Sequence, residues 1–286
     1  MKYIVILFFF MSQQIKADDW NKELDEWKSK RVSQLTKPHG WLSLIGMEWL
    51  HNGDNSIGSA SDNTIILPHG PAYIGKFELT DKIITFHAEE GIAINANKQP
   101  VDHKIIVKMD SSGEPTVFNI DTFQFYVIER GKPALRIKDS SAKALADFKG
   151  INYFPVTENF RLQAEFIPYD PVKELEIINV LGLLSRDKAL GQLKFNIEDK
   201  DYFLDVMDSN DDYYIIFADK TSGRTSYGPG RFLYVPKAND NSLTTIDFNK
   251  AYNPPCAFSD YSTCPLPPPQ NRLPVYIEAG EKKYSH

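Results

Sequence analysis

A mainly β chain is predicted: an N-terminal helix, a β-sandwich, then a second antiparallel β domain closed by a Pro-rich tail. Three observations carry this. Short apolar runs broken by turn residues fill the stretch from Gly40 to about Lys108. Runs of alternating polarity recur from Phe160 to Gly223, as in LGQLKFNIEDKDYFLDVMD, and alternation is the signature of a half-buried strand. Proline crowds the segment from Asn253 to Pro274, where each ring removes a backbone donor and fixes φ, so this part is irregular and stiff rather than sheet or helix.

Taken in order, residues 1–17 (MKYIVILFFFMSQQIKA) join one early lysine to an apolar run from Tyr3 to Met11. This run has about half the length of a membrane span, and it reads as a secretory signal peptide, which makes the chain exported, periplasmic or secreted. Residues 18–39 hold Trp20, Leu24, Trp27 and Leu35 at helical spacing, with Asp18 or Asp19 placed to cap the helix and Lys37, Pro38 and Gly40 placed to stop it. Residues 40–112 form the sandwich. Its strands are expected in WLSLIGMEWL, SIGS, TIILP, YIGKFELT, KIITFHA, IAINANKQPV and KIIVK. Residues 113–286 form the second β domain, beginning with a hairpin turned at Glu129 to Lys132 and a short helix at Ser140 to Phe148 opened by a serine cap.

Charge and cysteine usage bound the function. The formal charge of −6 becomes −8 when Lys2 and Lys16 leave with the leader, and with no basic stripe present nucleic acid is not an expected partner. No membrane span is expected once the leader is removed. Cys256 and Cys264 are the two cysteines, and in an oxidising compartment they are expected to form one disulfide across a short proline-rich loop.

Phosphate-loop, dinucleotide, zincin, nucleophile-elbow and C-x-x-C patterns are absent from the chain, so no cofactor and no metal is expected. Histidine occurs at 39, 51, 69, 87, 103 and 286. A Cys256 nucleophile would therefore have to borrow its imidazole from the sandwich. What remains is an ionic set at turn-adjacent positions: Arg136, Asp139, Arg161, Arg231, Asn249, Asn253 and Asn271 as ligand-binding candidates, because arginine captures carboxylate or phosphate bidentately. Two readings stand side by side. Either these groups line a pocket for a small anionic or polar ligand, or Arg231 and Arg272 pair with Asp247 and Glu281 and tie the tail to the sheet. A hydrolase-like alternative makes Asp247 or Glu281 the general base and Arg231 the stabiliser of developing charge. A third possibility is a structural interaction module without a cleft.

The segments YGPGRFLY (from Tyr227), DFNKAYNPPCAF (from Asp247) and CPLPPPQNRLPVYIEAGEK (from Cys264), with GWLSLIGMEWL and FRLQAEFIPYDP upstream, resemble the signature of the bacterial and archaeal domain of unknown function 1684 family. That resemblance implies no established activity. In the sandwich, NGDNSIGS, NTIILP and INANKQPV resemble a forkhead-associated domain. Such domains place an arginine where Ser59 follows Gly58 and a Ser-x-x-His segment where HGPAYIG stands, so the architecture is implied and phosphopeptide binding is not.

Overall fold

The computed structural model describes residues 2–285, with side chains from Asp19 onward. The chain divides into two units: a sandwich unit of residues 36–148 and 259–262, and a barrel unit of residues 1–35, 149–258 and 263–286. The expected division after residue 112 differs from this. The strand at 133–139 pairs with the first strand of the sandwich, and those at 123–129 and 118–120 follow it in the same sheet, so their hydrogen-bond ladder keeps them in the sandwich unit.

Helix α1 spans Lys2–Leu35. Its C-terminal end is where Pro38 and Gly40 predict it, but Asp18 and Asp19 lie inside the helix rather than capping it. The backbone of the expected leader belongs to α1, and its side chains lie outside the described residues. Among the described residues no helix is long and apolar enough to cross a membrane. Trp20, Leu24 and Leu35 are buried, the apolar stripe the helical spacing anticipates.

The sandwich unit contains β1 (Leu44–Trp49), β2 (Gly53–Gly58), β3 (Ile65–Ile66), β4 (Gly75–Thr80), β5 (Ile83–Ala88), β6 (Asn95–Ala96), β7 (Gln99–Pro100), β8 (Ile105–Ile106), β9 (Phe118–Ile120), β10 (Phe123–Glu129) and β11 (Pro133–Asp139). They form two sheets, in the order β1-β11-β10-β9-β6-β7 and β3-β2-β4-β5-β8. All pairs are antiparallel except β2 with β3. Phe77 and Phe86 from one sheet meet Phe118 and Phe125 from the other: ring centroids are 4.6 Å apart for Phe86 and Phe118, and 6.1 Å for Phe77 and Phe125. All four rings are fully buried, and tilted and edge-on geometry of this kind adds to their area burial. The β10–β11 hairpin turns where expected, with Glu129 opposite Pro133. Helix α2 shrinks to Lys143–Ala146 and carries no side-chain cap, because Ala142 rather than a serine stands at its N-cap.

The barrel unit contains β12 (Arg161–Ile178), β13 (Leu184–Ile197), β14 (Lys200–Ser209), β15 (Asp212–Phe217), β16 (Arg231–Pro236) and β17 (Leu243–Asp247). Their order is β16-β15-β14-β13-β12-β17. The Thr244 hydroxyl donates to the Pro236 carbonyl at 2.7 Å, bringing the two end strands together, so the sheet closes nearly into a barrel. Leu193, Leu204, Ile215, Phe217, Leu233 and Phe248 fill it, and the tail inserts Leu273, Ile277 and Ala279 among them. The proline-rich tail forms three-residue 3-10 turns at Pro255–Ala257 and Pro269–Asn271, and Cys256 and Cys264 are joined by a disulfide.

Candidate functional site

The barrel unit carries a cleft of about 760 Å³. Residues 152–155, 157 and 160, which lead into β12, and Glu278, Lys282 and Lys283 of the tail line it, with Thr225 from the loop before β16. The two backbone segments run together: Tyr153 bridges Glu281, Phe154 N–H donates to Gly280 O, and Lys282 N–H donates to Asn152 O at 2.8 Å. Gly280 has φ of +78°, and a side chain there would collide with the Ala251 carbonyl; only glycine lets the tail pass so close to the backbone. Tyr153, Phe154 and Phe160 supply aromatic surface, and Lys282 and Lys283 bring positive charge. Lys282 Nζ stands 5.3 Å from the centroid of the Phe154 ring.

Beneath this lining lies the ionic set, and it holds the backbone of the cleft. Arg231 has no exposed surface. Its Nη2 donates to Asp219 Oδ1 at 3.3 Å and to Ile277 O at 2.9 Å, and its Nη1 to Ala279 O and to Glu281 O. Asp219 also accepts from Ile277 N–H at 2.8 Å and from the Thr221 hydroxyl. Burial pulls the Arg231 guanidinium down in pKa while Asp219 opposes it. The partner of Arg231 is thus Asp219 rather than Asp247 or the carboxylate of Glu281, while Arg272 is exposed.

Glu281 is fully buried as well, with Arg31 Nε of α1 at 2.9 Å on Oε1 and Asn253 N–H at 2.8 Å on Oε2. Burial outweighs these donors and raises its pKa. The Asn253 side chain donates to Lys282 O at 2.8 Å. Asn249 grips Thr157 in both directions, accepting from its N–H at 3.1 Å and donating to its carbonyl at 2.9 Å. Asp247 receives the Trp20 indole N–H at 2.8 Å and caps the turn at Asn249. Three of the candidates, Arg231, Asn249 and Asn253, therefore fix the two walls of the cleft without lining it.

The remaining candidates lie elsewhere. Asn271 ties β14 to β15, accepting from Asp205 N–H and donating to Asp205 O and Ile216 O. Arg161 is exposed, with its guanidinium 5.3 Å from the centroid of Trp20. Arg136 and Asp139 belong to the sandwich unit. Arg136 packs over Trp41 and Tyr126, and Asp139 meets His69 and Ser141.

Sequence reasoning missed the lysines that face the cleft and the partners Asp219 and Arg31. The doublet Lys282–Lys283 at the end of the tail signature was a visible signal, whereas nothing local marks Asp219 as the counter-ion of a residue twelve positions away. Among the described residues no group of three or more His, Cys, Asp or Glu side chains could hold a metal ion.

Residues 146–282 match the model of a family described as "Protein of unknown function (DUF1684)". The chain is also similar to an uncharacterised protein of Haloarcula marismortui solved by solution NMR, with 29% identity, a TM-score of 0.41, and coverage of 48% of this chain and 78% of that one. No curated protein matches.

Proposed function

We propose that the protein is an exported binding protein for a small anionic ligand with a flat ring, held in the cleft of the barrel unit. The observation that carries this reading is the pairing of Lys282 and Lys283 with the aromatic surface of Tyr153, Phe154 and Phe160 in one cleft of about 760 Å³. That volume is in the range of small-molecule sites, which combine apolar walls with a few placed polar groups. Aromatic faces take a ring by offset stacking, and an ammonium is a point charge for carboxylate or phosphate. Rigid buried donors under the walls support binding further, since preorganised walls lose little freedom when a ligand enters. The Cys256–Cys264 disulfide fits an oxidising compartment.

The carboxylate-base alternative is less well supported. Both oxygens of Glu281 are engaged by Arg31 and by Asn253 N–H, and one Asp247 oxygen receives Trp20 while the other caps Asn249. A general base needs an oxygen within reach of the proton it removes.

Titration calorimetry with 4-hydroxybenzoate and phenyl phosphate, and with benzamidine as the cationic control, tests the reading. An anionic probe is expected to bind, benzamidine is not, and the K282Q/K283Q double variant is expected to weaken binding by about tenfold or more, as charge-assisted hydrogen bonds are lost. Equal binding by the double variant, or no binding of either anion, would overturn it.

A further inference from the structure

A second cleft, of about 510 Å³, opens in the sandwich unit at the end of β11. His69, Asp139 and Ser141 meet there. His69 Nε2 lies 2.8 Å from Asp139 Oδ2, and the Ser141 hydroxyl and N–H donate to Asp139 Oδ1 at 2.7 and 2.8 Å. The loop that carries His69 is fixed, because the Ser59 hydroxyl donates to Gly70 O at 2.8 Å and the imidazole packs on Phe123 with centroids 4.5 Å apart. Asp139 has a side chain 5% exposed, while the His69 side chain is 46% exposed. Burial pushes the Asp139 carboxyl up, but the Ser141 N–H, the Ser141 hydroxyl and His69 outweigh it and hold the pKa below its ordinary value.

An ionised carboxylate facing Nε2 places the ring proton there and leaves Nδ1 as the basic nitrogen. The cleft walls beside it are apolar, from Ile45, Ile66, Leu67 and Pro68, and its charged groups are Asp139 and Lys143; Lys143 is paired with Asp147. A turn lock alone would need only Asp139 and Ser141. The added, half-exposed imidazole at a cleft wall is what a general base requires.

We propose that His69, oriented by Asp139, is a general base that activates water against esters of short acyl chains bound in this cleft. The water oxygen bonds to the ester carbonyl carbon as its proton passes to His69 Nδ1. The tetrahedral species then expels the alcohol oxygen, the C–O bond breaks, and His69 returns the proton to that oxygen, giving acid and alcohol. Ser141 is not the nucleophile, because its hydroxyl proton is directed at Asp139 and lies on the same carboxylate that holds Nε2.

Hydrolysis of p-nitrophenyl butyrate by the full chain tests this. The wild-type rate is expected to exceed that of buffer. H69Q, matched to wild type by thermal melting, is expected to lose roughly 10²–10⁴-fold in kcat. D139N is expected to lower kcat at unchanged KM and to displace the pH profile, which a merely structural role would not do. Mass spectrometry of the protein during turnover is expected to show no acyl adduct on Ser141. A wild-type rate equal to buffer, an H69Q rate equal to wild type, or an acyl adduct on Ser141 would each overturn the proposal.

Discussion

Truncating Arg231 would leave the Asp219 carboxyl group buried without its counter-ion, because neither side chain has exposed surface. Removing one partner of a buried pair costs more than the pair itself contributes, since the surviving charge has lost its solvation and its counter-ion. Arg231→Ala is expected to lose about 3–5 kcal/mol of unfolding free energy in urea titrations, and Arg231→Lys to fall between the two because an ammonium cannot reproduce the fork that reaches Ile277 O and Ala279 O. Lys138 gives a pH signature in the sandwich unit. Burial first, and Arg136 second, lower its pKa to about 8, while its Nζ donates to His39 O at 2.7 Å. The unfolded chain then binds more protons than the folded one between about pH 8 and the ordinary lysine value of about 10.4, so this group makes stability rise with pH across that window. In Lys138→Met the rise is expected to vanish from the pH dependence of the melting temperature. Of these residues Arg231 and Arg136 stood out in the sequence, and Asp219 and Lys138 did not. The burial of Lys138 was hidden because lysine is the side chain least associated with interiors.

At the scale of elements, the tail and α1 hold the barrel unit through polar bonds as much as through apolar packing. α1 supplies the Trp20 indole to Asp247 and Arg31 to Glu281 and Asn253 O, and Glu23 pairs with Lys250. The proline-rich loop between Cys256 and Cys264 is closed by their disulfide, with each of those backbone N–H groups directed at the other sulfur. Because the loop is short, the chain-entropy gain is modest: the C256S/C264S double variant is expected to lose about 2–3 kcal/mol in denaturant titrations, and free thiols in the native protein would remove the basis for that loss. That α1 would end near Leu35 was legible from Pro38 and Gly40. That β12 would run unbroken from Arg161 to Ile178 was not, since Pro168 and Pro171 within FRLQAEFIPYDPV argue for a break, and the strand accommodates them through a register shift between Pro168 and Lys173. Pairing with β13 on both sides of the irregularity overrides the local signal.

For the molecule as a whole, the sequence by itself determined the class: mainly β, with an N-terminal helix, short strands in the first half, longer alternating strands in the second and a stiff tail. These features follow from periodicity and from the backbone chemistry of proline and glycine, which act locally and can be read from neighbouring residues. It also offered the two cysteines as a disulfide pair, because no other thiol competes, and the structure joins them. Only the tertiary structure decided that β9, β10 and β11 pair within the sandwich unit, that Arg231 takes Asp219 as its partner, and that Arg231, Asn249 and Asn253 hold the walls of a cleft whose cations are Lys282 and Lys283. It likewise decided that His69 meets Asp139, seventy positions away. The physical reason is common to all of these: strand partners, counter-ions and cleft walls are chosen by long-range geometry, where many residues of the same type are equally suited by chemistry and burial selects among them.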